Sequence, residues 1–481
     1  MPRIVGLRSS GRAVRPEELR PRSRPGALRT LLACAIPTAL LSLAASALAG
    51  QDAQGAITAF VGVNVVPMDA DRVLRTQTVL VENGTIVAVG RRIAIPGTAR
   101  IVEGHGAYLS PGLADMHTHS DTREDLKVYL ANGVTSVLNM GDASAGFIDQ
   151  LRPEANAGRI PGPHVYAAFM VDGSPRYNNL FVTTPDEARA IVAIAKTNGY
   201  DFIKVYNDLP ADCFQAILDA GKRLQIPVIG HGVTAVGLRR QLEEGQVMVA
   251  HTEEFLYTVF YDPDHIPEAG APDPEKIPGV IEFVLRTKAF VTADLNTYAT
   301  IAHQWGKPGA SAEFLRKPEA RYLAPNSRII WARESYRTRR GSIDARLAFL
   351  ARFTKAMSEA GIGLIAGTDA PNIPGLLPGF SLHDDLDALQ AAGLSRYRVL
   401  AIATRSAGEF IQRSLPNAEP FGTVTTGSRA DLIMTAVNPL DDLATLRKPL
   451  GVMARGKWYT ASDLQALLDG VAAEYNSSTR H

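Results

Sequence analysis

Pro111-Gly112-Leu113-Ala114-Asp115-Met116-His117-Thr118-His119 decides how this chain is read. An apolar run ends in two histidines two residues apart. Side chains alternate faces along an extended strand, so His117 and His119 share one face and Thr118 takes the other. Two neutral imidazoles on one face supply half of the donors that a first-row metal needs. A lone His-x-His also arises by chance at a strand mouth, so its weight depends on its company in the rest of the chain.

The pattern recurs downstream. Asp201-Phe202-Ile203-Lys204-Val205-Tyr206 carries a lysine inside a β-rich run. Pro227-Val228-Ile229-Gly230-His231 and Val247-Met248-Val249-Ala250-His251 end in histidine, and Gly363-Leu364-Ile365-Ala366-Gly367-Thr368-Asp369 ends in aspartate. Of 10 histidines in the chain, four hold these terminal positions, a concentration that scattered surface histidines would not show. Stretches of helical pattern, 184–197 and 210–224, lie between the runs. Strands alternating with helices imply βα units and a parallel sheet. Closed into a (β/α)8 TIM barrel, such a sheet gathers every strand C-terminus on one face, where ligands scattered in sequence meet in space. Taken singly, each residue has a plainer account. His231 and His251 would be core histidines, Lys204 an edge-strand charge, and Asp369, before Ala370-Pro371, a cap or turn residue. Their joint placement at strand ends favours the metal reading.

This order resembles the amidohydrolase superfamily, which has His-x-His after strand 1, Lys after strand 4, His after strands 5 and 6, and Asp after strand 8. The resemblance extends over nearly the whole chain beyond the leader. Residues 79–90, Val-Leu-Val-Glu-Asn-Gly-Thr-Ile-Val-Ala-Val-Gly, look like the family's N-terminal hairpin, and 421–432 like its C-terminal return. The Ile203-Lys204-Val205-Tyr206 lysine and the spacing of His231 and His251 are most similar to the imidazolonepropionase-like and metal-dependent Xaa-Pro dipeptidase branch. Lys204 argues against imidazolonepropionase activity itself.

The resemblance implies two divalent metal ions, best matched by Zn2+ given nitrogen and oxygen donors without thiolate. An ammonium has only donors and cannot bind a cation, so the resemblance also implies a carboxylated Lys204 that bridges both metals. His117, His119 and Asp369 would complete one metal site, and His231 and His251 the other. The metals would acidify a water and polarise the scissile carbonyl, with Asp369 as general base and then acid. Tyr206, two beyond Lys204 on the same face, is expected at the substrate, with a packed aromatic as its other account. His383, in Ser381-Leu382-His383-Asp384, looks like the region after strand 8 that contacts substrate in relatives, or else a helix cap. Asp115 is expected to orient the histidine pair from behind. Asn139-Met140-Gly141 departs from the more charged sequence many relatives carry after strand 2, so substrate recognition does not transfer at that corner.

Composition sets the remaining bounds. The chain has 481 residues, 46% hydrophobic and 21% charged, as an ordinary globular enzyme does. Residues 1–29 hold eight arginines, and an apolar run over 31–49 ends in Ala47-Leu48-Ala49. That is the plan of a secretory signal, implying an exported, periplasmic or secreted bacterial protein with no stable membrane span once the signal is removed. Losing eight arginines and two glutamates with 1–49 takes the formal charge from +1 to −5, which gives no basic patch for nucleic acid. Only Cys213 remains beyond the leader, so no internal disulfide forms.

The expected organisation is a signal over 1–49, a β-sandwich begun by 50–109, a barrel over 110–409, and a sandwich completed by 410–481. The region 303–344, with seven arginines, is expected over the mouth as a lid or flank, where it would receive a substrate carboxylate or serve as a solvated insertion. The function implied is amide C–N hydrolysis, in Xaa-Pro dipeptides or N-acyl amino acids as small-molecule partners. Lactonase or aryl-amidase chemistry on the same site is the alternative, followed by a noncatalytic assembly protein. Homo-oligomers are common among relatives.

Overall fold

The computed structural model describes residues 57–478 apart from 177–179, 264 and 268–269, so the expected signal segment lies outside the described residues. Among the described residues, sixteen strands form two sheets. The strands β1 (Ile57–Val65), β2 (Leu74–Glu82), β3 (Thr85–Gly90), β4 (Arg100–Glu103) and β5 (Tyr108–Pro111) come first. Then come β6 (Leu113–Thr118), β7 (Val134–Asn139), β8 (His164–Val171), β9 (Phe202–Val205), β10 (Val228–Gly230), β11 (Met248–Val249), β12 (Phe290–Thr292) and β13 (Gly363–Ile365). The last three are β14 (Leu432–Thr435), β15 (Gly451–Ala454) and β16 (Lys457–Thr460).

The first sheet draws on both ends of the chain. Its order is β16-β15-β14-β5-β1-β2-β3, with β4 on β1, and β5 pairs antiparallel with β14. Its interior is Phe60, Val63, Val79, Val81, Leu109, Leu432 and Met453, with Trp458 edge-on to Phe60. Asn83-Gly84 closes the β2–β3 hairpin with φ of 50° and 78°. Two successive positive φ values make the turn whose twist matches the strands it joins, which is why Asn-Gly stands there.

The second sheet is parallel and runs β6 through β13 in chain order. It closes on itself: Met116 N donates to Ala366 O (2.8 Å), Asp369 N to His117 O (2.8 Å), and His119 N to Ala370 O (2.8 Å). The result is the expected (β/α)8 barrel beside the small β domain. Between strands, Pro185–Thr197 begins with a capping box in which Thr184 and Glu187 exchange side-chain bonds to backbone, and Ala211–Leu224 follows Pro210. Inward residues Ala114, Met116, Leu138, Phe202, Ile229, Met248, Phe290 and Ile365 fill the barrel. The end nearer the strand N-termini is plugged by Phe410 of helix Arg405–Ser414, stacked on Phe202 (5.5 Å between centroids) and edge-on to Phe290 (5.3 Å). Position 409/410 therefore falls within a single helix. No helix among the described residues is long and apolar enough to cross a membrane.

Candidate metal centre

The residues at the C-terminal ends of the barrel strands converge. His117 lies within β6 and His119 just past it. Lys204 lies within β9, His231 directly follows β10, His251 is two past β11, and Asp369 is four past β13. Nitrogen and oxygen atoms of His117, His119 and Asp369 lie within 4.8 Å of one another. Asp369 Oδ1 is 3.0 Å from His119 Nε2 and 3.4 Å from His117 Nε2. Lys204 Nζ is 3.2 Å from His117 Nε2, the His117 and His251 rings are 4.3 Å apart, and His251 and His231 5.1 Å.

Strict strand alternation does not fully describe the His-x-His. Against β7, the register of β6 gains one residue between Asp115 and Thr118, a bulge that re-aims the side chains around His117. Met116 thus packs in the barrel interior while His117 also turns to the cluster. Gly367 makes room for this: a Cβ there would stand 2.7 Å from His117 Cβ and 2.5 Å from Thr292 Cγ2. Asp369 has φ of 60°, in the left-handed region that aspartate tolerates better than most side chains.

An oxygen stands near Nδ1 of each imidazole, within a hydrogen bond for His117 and His251 and at ion-pair distance only for His119 and His231. His117 Nδ1 donates to Ala250 O (3.0 Å), and His251 Nδ1 pairs with Asp294. His231 Nδ1 lies 2.6 Å from Glu254 Oε1, and His119 Nδ1 lies 3.2 Å from Asp142 Oδ2. Glu254 is itself fixed by Gly232 N (2.9 Å). Asp115 accepts from Thr368 Oγ1 (2.7 Å) and His117 N (3.3 Å), tying the ends of β6 and β13 together. With Nδ1 of His117 and His251 engaged, Nε2 is the nitrogen those two rings leave to face inward, the arrangement of ligating histidines. His231 Nε2 is buried and has no hydrogen-bond partner among the described residues. An orphaned buried acceptor of this kind fits a cation.

The charge states suit the same role. Burial, then the charge of Lys204, holds His117 well below the usual imidazole range and keeps it neutral. Burial pushes Lys204 down to about 8 despite the surrounding carboxylates. Burial would raise Asp369, but the hydrogen bond from His119 and the nearby positive charges hold it down at about 2. Burial likewise opposes a charged His251, yet Asp294 favours its cation; a metal at Nε2 would replace that proton.

Tyr206 stands where its spacing from Lys204 puts it, its ring 4.0 Å from His231. His383 stands elsewhere. It is buried in helix Phe380–Ala391, and its Nε2 donates to Asn132 O (3.0 Å), at the C-terminal cap of helix Arg123–Ala131. Its ring joins two helices at a C-terminal cap, the second of the two accounts its sequence context offers. The insertion does flank the mouth: Trp331 Nε1 donates to Pro371 O (2.8 Å) and Ala324–Ser327 border a cavity shared with His119. None of its seven arginines lines that cavity. Asp142, Glu254 and Asp294 are residues that sequence reasoning misses. Their one signal is position, each a few residues past a strand end in a chain with 49 acidic residues. A cavity of about 920 Å3 opens at the opposite barrel end against 414–419 and is lined by none of the cluster residues.

No protein-family model matches the chain. The dihydroorotase of Geobacter sulfurreducens is 38% identical over 162 residues, 32% of this chain; the match spans 37% of that curated relative, about a third of its length. Among solved structures, a bottromycin amidohydrolase superposes with a TM-score of 0.67 at 20% identity, covering 87% of this chain and 90% of that one. A structure described as a putative prolidase from Bifidobacterium longum gives 0.60 at 23% identity, covering 86% and 99%. A Xaa-Pro dipeptidase with methionine in its active site gives 0.59 at 18% identity, covering 84% and 100%. These likenesses show the fold: the chain is built as amidohydrolase-family proteins are.

Proposed function

We propose that this protein is a metal-dependent hydrolase that cleaves an amide C–N bond, with Xaa-Pro dipeptides or N-acyl amino acids as substrates. The observation that carries the proposal is the convergence of His117, His119, Lys204, His231, His251 and Asp369, with Nδ1 of His117 and His251 hydrogen-bonded behind the cluster and His231 Nε2 buried without a hydrogen-bond partner among the described residues. The neighbouring prolidase and dipeptidase folds favour peptide-like substrates.

In this reading His117, His119 and Asp369 would hold one divalent cation, His231 and His251 a second, and Lys204, once carboxylated, would supply oxygen donors to them. Zn2+ suits these donors. The bound cations would acidify the attacking water and polarise the scissile carbonyl. Asp369 accepts the proton released as the water attacks and returns it to the departing nitrogen. The Tyr206 hydroxyl donates to the oxygen that gains charge. Asp142, Glu254 and Asp294 hold the imidazoles so that this geometry precedes substrate. Burial of the cluster excludes bulk water and strengthens each of these interactions.

The leader supports an enzyme working outside the cytoplasm, with the signal over 1–49 removed, the barrel extending past 409 through helix Arg405–Ser414, and the small domain formed by β1–β5 and β14–β16. N-terminal sequencing of secreted protein checks the cleavage. The activity test is Zn2+-reconstituted protein against Xaa-Pro dipeptides, N-acyl amino acids, aryl amides and lactones, with and without chelator. Chelator-sensitive dipeptide or acyl-amino-acid cleavage is expected. Turnover of lactones or aryl amides alone would move the substrate class, and silence across the panel would favour a noncatalytic protein.

A further inference from the structure

We propose that Gln241 and Gln246 are positioning residues for one half of the metal centre, the half that His231 and His251 would form. This rests on the two-cation reading of the site and assigns two residues outside the cluster to one of its cations. The two halves are supported differently. His117 lies within β6, whose backbone is tied to the chain after β13: Met116 N donates to Ala366 O (2.8 Å) and Asp369 N to His117 O (2.8 Å). His231 and His251 instead follow strands of three and two residues, too short to fix what comes after them.

The chain leaves β10 through Gly230, with φ of 131° and so close to β9 that a Cβ would stand 2.3 Å from Val205 O, which glycine alone allows. His231 N still donates to Val205 O (2.9 Å). Beyond it, side chains take over the backbone. Gln241 Nε2 donates to His231 O (3.1 Å), and Gln241 Oε1 accepts from Val233 N (2.6 Å). Between these two bonds, Gly232 N donates to Glu254 Oε2 (2.9 Å) and Gly232 O accepts from Asn207 Nδ2 (2.9 Å). One amide, that of Gln241, therefore spans the peptide groups that follow His231.

Gln246 extends the hold to the neighbouring strand. Its Oε1 accepts from Gln241 Nε2 (2.7 Å), and its Nε2 donates to Gly230 O (3.0 Å) and Met248 O (3.1 Å). Gly230 O also accepts from the backbone of Ala250 (2.9 Å), the residue before His251. The pair thus joins the ends of β10 and β11, just ahead of the two histidines. Gln241 is 0% exposed and Gln246 2%, and the donors and acceptors of both amides are all used. A fully satisfied buried network specifies one arrangement, because moving any member leaves another unpaired. Gln241 lies on helix Leu238–Glu244 and Gln246 directly follows its cap Gly245, so one short element carries both amides. Among the described residues neither side chain bonds to His117, His119 or Asp369, which makes the effect selective for one half.

The test is a competition titration of chelator-treated wild type, Gln241→Met and Gln246→Met with Zn2+ in bicarbonate buffer, reading bound metal per chain. Wild type is expected to bind two ions. Each variant should bind one ion with wild-type affinity and the other about 10–100-fold more weakly. In a His231→Ala background, where that ion is already lost, adding Gln241→Met should leave the remaining affinity unchanged. Excess Zn2+ should restore turnover to either glutamine variant, as it would not for a residue acting on the substrate. Equal weakening of both ions, a further loss in the His231→Ala background, or uptake unchanged from wild type would overturn the proposal and leave the two-cation reading standing. Wild type that binds fewer than two ions would overturn both. Should neither variant fold, hydrogen exchange of the wild type decides. The amides of Gly232 and Val233 are expected to be protected before metal is added, and protection that appears only with Zn2+ would overturn the proposal.

Discussion

The two ends of the barrel are built from the same strands yet hold opposite chemistry. At one end Phe202, Phe290 and Phe410 pack ring against ring; at the other, two residues along the same β9 face, Lys204 meets His117. The period of two in a strand lets a single short segment, Phe-Ile-Lys-Val, supply one side chain to an apolar plug and the next inward one to a polar cluster. The apolar end needs only volume and tolerates substitution by size. The polar end needs each atom aimed, because every buried charge must find a partner, and this is why carboxylates stand behind its imidazoles.

Breaking the polar end has the largest expected effect. Asp369→Asn should lower kcat about 10^3-fold, within the range that positioned proton transfer contributes, while metal content measured by mass spectrometry stays close to wild type. Breaking the apolar end instead should cost stability: Phe410→Ala is expected to lose about 3–5 kcal/mol in denaturant unfolding, with turnover per folded molecule kept. A Phe410→Ala protein that is stable but inactive would show that the two ends are not separable. The support behind the cluster comes next. Asp294→Asn should weaken metal affinity about 10–100-fold in a competition titration without changing the melting temperature of the metal-free protein much. Outside the barrel, Thr184→Ala removes one member of the capping box and is expected to cost about 1 kcal/mol and no activity, fixing the scale of a purely local change.

The contrast between the two ends also explains what is legible in the sequence. His117, His119, Lys204, His231, His251 and Asp369 are legible because each ends or lies within a β-rich run, and a parallel barrel brings such ends together whatever the loops do. The alternation in β2 and β3 and the Asn83-Gly84 turn announce the small domain in the same way. Asp142, Glu254 and Asp294 are not legible, since loop conformation, not periodicity, decides which of many acidic residues backs an imidazole. His383 takes the second of its two accounts, a helix cap. It follows the right strand, but helix Phe380–Ala391 turns its ring to Asn132. The arginines of 303–344 draw attention by charge, whereas the segment reaches the mouth through Ala324–Ser327 and Trp331.

The most direct measurement of the metal-centre claim is a titration of chelator-treated protein with Zn2+ in bicarbonate buffer, following bound metal and amide hydrolysis together in wild type and Lys204→Met. Wild type is predicted to take up about two ions per chain and to gain activity as they bind, and Lys204→Met to lose tight uptake of at least one ion together with the activity. Wild-type protein that binds no metal, or a Lys204→Met variant indistinguishable from it, would contradict that claim.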